Sequence, residues 1–263
     1  MTESYIKEVL LPFPEKDDRK IWVYVPAHNT GDKLPVMYMM DGQNLFDEKS
    51  TPFGSWGVVK AVENEAASSG VSCVIVGIDN GNIYRDSELT PKSVGEIQCR
   101  DEFNEIFTPQ GEIFDDFLVN TVMPFVEHNF PVSTCREKTA VCGSSSGGLQ
   151  AFFAGVDHSD KFSFVGALSP AFIAYSEEDL RSYLLSKTTD DMPYIYMYSG
   201  GADELEQRIF ASVEMMYDLL PEVGYPYDKF NEVLLFENEH NEKAWREIFP
   251  DVLRTFIDST KSM

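Results

Sequence analysis

The chain has 263 residues and a mass of 29.8 kDa, enough to bury a large core, and no shift in composition marks a second domain. A formal charge of -23 and a pI near 4.4 argue against nucleic acid and an anionic membrane as partners, because both would repel such a surface at long range, and read first as a solubility surface. No run of the roughly twenty apolar residues that a bilayer span needs occurs, and the opening MTESYIKEVL lacks the basic-then-apolar pattern of a secretion signal; a cytoplasmic location is the default expectation, with an already removed signal left open.

Residues 4–13 alternate weakly and end at Pro12 and Pro14, as an edge strand does. IWVYV at 21–25 is a second strand, stopped by Pro26. VMYMM at 36–40 is a continuous apolar run of the kind buried on both faces of a sheet, and it leads straight into Asp41, Gly42, Gln43 and Asn44. A helix over 56–67 precedes another such strand, VSCVIVGI, at 71–78. From 79 to 111 the chain turns polar and irregular, and so long a stretch inside one domain predicts a binding loop or cap beside the site. The spacing of Phe114, Phe117, Leu118 and Phe125 predicts a helix over 113–130, interrupted at Pro124.

Strands at 139–142, 162–168, 194–199 and 232–236 then alternate with helices after the first of them and near 177–186, 205–220 and 242–257. That alternation implies a single α/β domain with a largely parallel sheet of about eight strands and helices on both faces. The four cysteines, Cys73, Cys99, Cys135 and Cys142, show no metal-ligand spacing. Cys73 and Cys142 sit in apolar strands as small core residues, and a pairing of Cys99 with Cys135 stays open, although a reducing compartment disfavours it.

The chemistry is carried by TAVCGSSSGGLQAFFAG at 139–155. Gly143, Ser145 and Gly147 fit GxSxG, in which a serine is lifted onto a sharp strand-to-helix turn flanked by residues with no room for a side chain. A flexible glycine-serine linker would show the same letters, but not an apolar strand before them and Leu149, Phe152 and Phe153 at helical spacing after them. The spacing therefore selects Ser145 among three serines as nucleophile, after the fifth strand, where an α/β-hydrolase places it.

Such a serine needs a base, an acid and an oxyanion hole. Of four histidines, His240 follows a buried strand downstream of the serine, in the order this architecture uses; a surface histidine in an acidic loop is the alternative. The acid is expected at the end of the strand between them, in YIYMYSGGADELE. Asp203 is preferred for its short, rigid side chain, with Glu204 as the alternative. The backbone N–H groups of Ser146 and Gln43 are the expected oxyanion donors, unless Asp41 and Gly42 merely make a tight turn. Trp56, Phe172 and Tyr84 are candidates for an aromatic substrate pocket, against core or loop packing. Arg85 would either meet a substrate carboxylate or pair with Glu88, and the pairing is preferred.

Together, YMMDGQNLFD, RDSELTP, CGSSSGG and EHNEKAW resemble the putative esterase family of α/β-hydrolases, which includes feruloyl and acetyl-xylan esterases, enterochelin-type siderophore esterases and S-formylglutathione hydrolases. The resemblance runs from about Val36 to Phe256 and implies a triad of Ser145, His240 and Asp203 with Gln43 and Ser146 as oxyanion donors. One departure is Asp41, at a position where many members carry histidine. The expectation is a serine esterase using neither cofactor nor metal, acting on a small-molecule or oligosaccharide ester, first among them feruloyl or acetyl esters of plant carbohydrate. A siderophore esterase comes next, then an acyltransferase on the same scaffold. A non-catalytic carbohydrate-binding or interaction module is the reading from another class. Sequence does not give the oligomeric state.

Overall fold

The structure, a computed structural model, describes residues 1–14, 16–100 and 103–261. Eight strands form one sheet in the order β1-β2-β4-β3-β5-β6-β7-β8: β1 Tyr5–Leu11, β2 Arg19–Val25, β3 Val36–Met39, β4 Val74–Ile78, β5 Thr139–Ser144, β6 Phe164–Leu168, β7 Tyr194–Ser199 and β8 Phe230–Leu234. β1 and β2 pair antiparallel, as do β2 and β4, and every other pairing is parallel. This is the α/β-hydrolase architecture expected from the alternation of strands and helices. β1 lies at the edge with Tyr5, Ile6 and Leu10 exposed.

The helices are α1 Val58–Ser69, α2 Arg85–Glu88, α3 Gly111–Phe117, α4 Met123–Asn129, α5 Ser146–Asp157, α6 Glu177–Lys187, α7 Glu204–Glu222 and α8 Glu242–Lys261. The sheet divides them. Successive strand residues point to opposite faces, so Met37 and Met39 join a core with Val62, Trp245, Phe249 and Phe256 of α1 and α8. Val36 and Tyr38 join the other, with Phe117, Leu149, Phe152, Ile209 and Val213 of α3, α5 and α7. The central strands β3 to β6 are buried throughout, which is why they read as unbroken apolar runs.

Two local outcomes differ from the expected pattern. Pro124 does not break its helix: the five residues Leu118–Val122 between α3 and α4 open into a π-helical turn, which gives room for a ring that would otherwise clash one turn back. The last strand ends at Leu234, leaving Phe236 outside the sheet and 62% exposed. No disulfide joins Cys99 to Cys135. Among the described residues, no helix is long and apolar enough to cross a membrane.

The stretch 79–111, apart from residues 101 and 102, which lie outside the described residues, is anchored to the sheet by charge. Glu88 is buried and takes both nitrogens of Arg19 at 2.8 and 3.0 Å and Lys16 Nζ at 2.6 Å. Removing one partner of a buried pair strands the other without water. Glu88→Ala is therefore expected to cost about 3–5 kcal/mol, read as a lower urea midpoint with an unchanged slope; an unshifted midpoint would show that the anchor carries no stability.

Candidate active site

Parallel pairing brings the C-terminal ends of β3 to β8 to one rim, and the expected nucleophile and base emerge there. Ser145 follows β5 at φ 58° and ψ -127°, a conformation that L-residues avoid, and its amide is held by the Leu168 carbonyl at 2.9 Å. A side-chain carbon at Gly143 would run into the Gly147 carbonyl oxygen, and one at Gly147 would press on Met40 and the Asp41 carboxylate at 3.0 Å, so both sides of the serine are tight.

The loop after β8 is pinned to the exit of β7: the Asn238 carbonyl accepts the amides of Gly201 and Ala202, and its side chain donates to the Tyr198 hydroxyl at 3.0 Å. This places His240 Nε2 at 3.0 Å from Ser145 Oγ. His240 Nδ1 lies 3.2 Å from Glu206 Oε1. An ionised carboxylate only accepts, so the ring proton sits on Nδ1 and Nε2 remains free to accept from the serine hydroxyl. Trp245 packs its ring against the imidazole at 5.1 Å and 86° and donates from Nε1 to Ser169 Oγ.

The carboxylate on the ring is thus Glu206, not Asp203 or Glu204. Asp203 caps α7: Oδ1 accepts the Glu206 amide at 2.9 Å and Oδ2 the His240 amide at 2.7 Å. Both oxygens are spent on backbone, so Asp203 holds the loop and not the ring. Glu204 is exposed. Glu206, by contrast, is fully buried and takes the hydroxyls of Ser169 at 2.5 Å and Ser199 at 3.1 Å. In sequence, Asp203 and Glu206 read as an ordinary capping pair. The one signal for Glu206 is its place on the buried stripe of α7 with Ile209, Val213, Met216 and Leu220, an acid where only apolar side chains belong.

The substrate candidates divide. Trp56 is buried against Trp245 and Phe249, with ring centres at 5.9 and 5.8 Å, so it supports the residue that supports His240; the cleft it borders, with Glu48, Lys60 and Arg246, is lined by neither Ser145 nor His240. Phe172 is fully buried edge-on to Phe152. Tyr84 is exposed along a cleft of about 680 Å³, with Lys16 Nζ 4.4 Å from its ring centre. That cleft is lined by Arg19, Asn80, Asn82 and Glu88 among others, and neither Ser145 nor His240 faces it. Arg85 pairs with Asp41 and Asp86, not with Glu88, whose carboxylate Arg19 and Lys16 already occupy. Gln43 sits in the short turn Gly42–Asn44 after β3 and Ser146 opens α5 after the adjacent β5.

The Putative esterase family matches residues 15–256. Bacillus subtilis (strain 168) "Uncharacterized protein YbbA" is 21% identical over 220 residues, covering 81% of this chain and 82% of that protein. The "Siderophore triacetylfusarinine C esterase" of Aspergillus fumigatus is 31% identical over 147 residues, 52% of this chain but only 44% of that protein. A solved "ferulic acid esterase" superposes with a TM-score of 0.69 at 20% identity, covering 98% of this chain and all of that one, a likeness of fold.

Burial by itself would raise the Asp203 carboxyl, but the amides of Glu206 and His240 and the imidazole beside it outweigh that and hold it below its ordinary 3.8. A carboxyl depressed by folding adds stability above its unfolded pKa and loses it as the pH falls through the folded one. Asp203→Asn keeps a capping oxygen and drops the charge. It is expected to unfold more easily than wild type near neutral pH, with the gap closing as the pH drops below 3.8; a gap independent of pH would show that the charge is not what stabilises the loop.

Proposed function

The chain belongs to the putative esterase family, and from that premise we propose a serine carboxylic-ester hydrolase in which Ser145 is the nucleophile, His240 the base and Glu206 the acid. The observation that carries the reading is the unbroken line from Ser145 Oγ through His240 to the buried Glu206 carboxylate. Ser145 Oγ attacks the ester carbonyl carbon as its proton passes to His240 Nε2, and Glu206 stabilises the imidazolium. The Gln43 and Ser146 amides receive the negative oxygen. The C–O bond to the alcohol then breaks, with the proton returning from His240 to the leaving oxygen. Water, deprotonated in turn by His240, releases the acid and frees the serine.

An uncharged acyl ester suits this site. The net charge of -23 and the acidic residues Glu237, Glu239 and Glu242 around His240 repel anionic substrates at long range. Feruloyl or acetyl esters of plant carbohydrate are the first substrate reading, supported by the fold shared with a ferulic acid esterase. A siderophore ester is the second, supported by the fungal relative.

Ser145→Ala is expected to lower p-nitrophenyl acetate turnover by about 10⁴-fold with its circular dichroism unchanged, and Glu206→Gln by roughly 10²- to 10⁴-fold, far more than Asp203→Asn. A folded Ser145→Ala as active as wild type would eliminate the acyl-enzyme, and a wild type inert on every ester would favour the non-catalytic module. Rates on methyl ferulate, acetylated xylan and a catecholate trilactone decide between the substrate readings: fastest turnover of the trilactone would put the siderophore ester first.

A further inference from the structure

Sheet topology fixes where the cleft beside Tyr84 lies relative to the nucleophile. β2 runs against β4, so the start of β2 and the end of β4 meet at the rim that carries Ser145, and there residues 16–19, 79–84 and Glu88 enclose about 680 Å³. That volume is within the range of small-molecule sites. Only β3 stands between β4 and β5, so at one strand spacing per step the cleft opens about 10 Å along the rim from Ser145. Its walls are held from outside. Asn80 Nδ2 donates to Asp41 Oδ1 at 2.7 Å, and Gly81 lies so close to Glu88 that a side-chain carbon there would sit 2.5 Å from the carboxylate oxygens. A site formed in advance loses less to ordering when it binds.

The lining suits a neutral ligand. Glu88 neutralises Lys16 and Arg19, the cations of the cleft, and the charge of -23 repels anions. Asp79 makes no ion pair among the described residues: Oδ1 accepts the Asn80 amide at 3.1 Å, and burial pushes the carboxyl above its ordinary value in spite of Arg19, that amide and Lys20. A carboxyl so placed favours hydroxyl donors, which bring hydrogen bonds without a charge. The Asn82 side chain and the Tyr84 hydroxyl have no hydrogen-bond partner among the described residues, and the Tyr84 ring, 42% exposed, adds an apolar surface beside them. Planar polar groups around an aromatic ring match a ring of C–H groups edged with hydroxyls. A cationic ligand fits less well, because Asp17 and Asp18 are exposed and pairing in water gains little.

We propose that this cleft is a second binding site, for an uncharged polyhydroxylated ring such as a pentose or hexose unit, and that it holds the sugar chain of a carbohydrate ester while the ester itself lies at Ser145. Binding in the cleft stands by itself; its use in turnover rests on the serine esterase reading. The separation of about 10 Å means that a small ester occupies Ser145 alone, whereas an oligosaccharide ester reaches both places.

The test is isothermal titration of xylotetraose, and separately of cellotetraose, into wild type, Ser145→Ala, Tyr84→Ala and Asp79→Ala, with a thermal melt of each. At least one of the two sugars is expected to bind wild type and Ser145→Ala alike. Binding should weaken roughly tenfold in Tyr84→Ala and roughly 10- to 100-fold in Asp79→Ala, which leaves the sugar hydroxyls without their acceptor. If either variant melts below the titration temperature, Asn82→Gly carries the test, because it keeps the left-handed φ of 52° and removes only the side chain. In turnover by wild type, the sugar that binds should compete with an acetylated xylo-oligosaccharide and leave p-nitrophenyl acetate hydrolysis unchanged. Equal inhibition of both esters would place the sugar at Ser145 and overturn the proposal. So would the absence of saturable binding of either sugar, undiminished binding by the folded variants, or spermidine bound in preference to sugar. A wild type inert on every ester that still binds sugar in the cleft would support the site and sink only the esterase reading.

Discussion

A carboxylate sealed from water is the constraint on which the rest of the site depends. Glu206 is fully buried, and an ion there persists only if its lone pairs are met. Ser169, Ser199 and His240 meet them, one from the exit of β6, one from the end of β7 and one from the loop after β8. Their demand for that single oxygen pair draws three chain segments together. The imidazole that results is oriented on one side by an acceptor and offers its other nitrogen to Ser145. Asp203, which satisfies the amides on either side, closes the same knot through the backbone.

Strain is concentrated at the same rim. The four non-glycine residues with positive φ among those described, Asp41, Asn82, Ser145 and Ser169, each follow the C-terminal end of a central strand, β3, β4, β5 and β6 in turn. Backbone in that region persists only where neighbours over-determine it. Three of these neighbours are identifiable: Arg85 for Asp41, the Leu168 carbonyl for Ser145, and the Tyr198 carbonyl at 2.6 Å for Ser169. The sheet is therefore a rigid base against which unfavourable turns are braced, and the braces are made between turns and not within them.

Electrostatics act at two ranges. Far from the surface, the charge of -23 selects against anions. Close in, two buried acids are matched by cations: Asp41 by Arg85 and Glu88 by Arg19 and Lys16. Asp41 is seated in this chain by an arginine.

The sequence by itself determined the order of strands and helices, the α/β-hydrolase class and the positions of Ser145 and His240 in the chain, because periodicity, glycine spacing and chain order are local or linear properties. Its apolar runs also placed the sheet strands to within a few residues. Tertiary structure alone decided which acid meets the imidazole. Asp203 and Glu206 are three residues apart in the first turn of α7, and only the burial of that helix face turns one toward the backbone and the other toward the ring. The same holds for Arg85, Trp56 and Phe172: a charge or an aromatic ring has a type in the sequence, but its partner is set by segments tens of residues away that packing brings beside it.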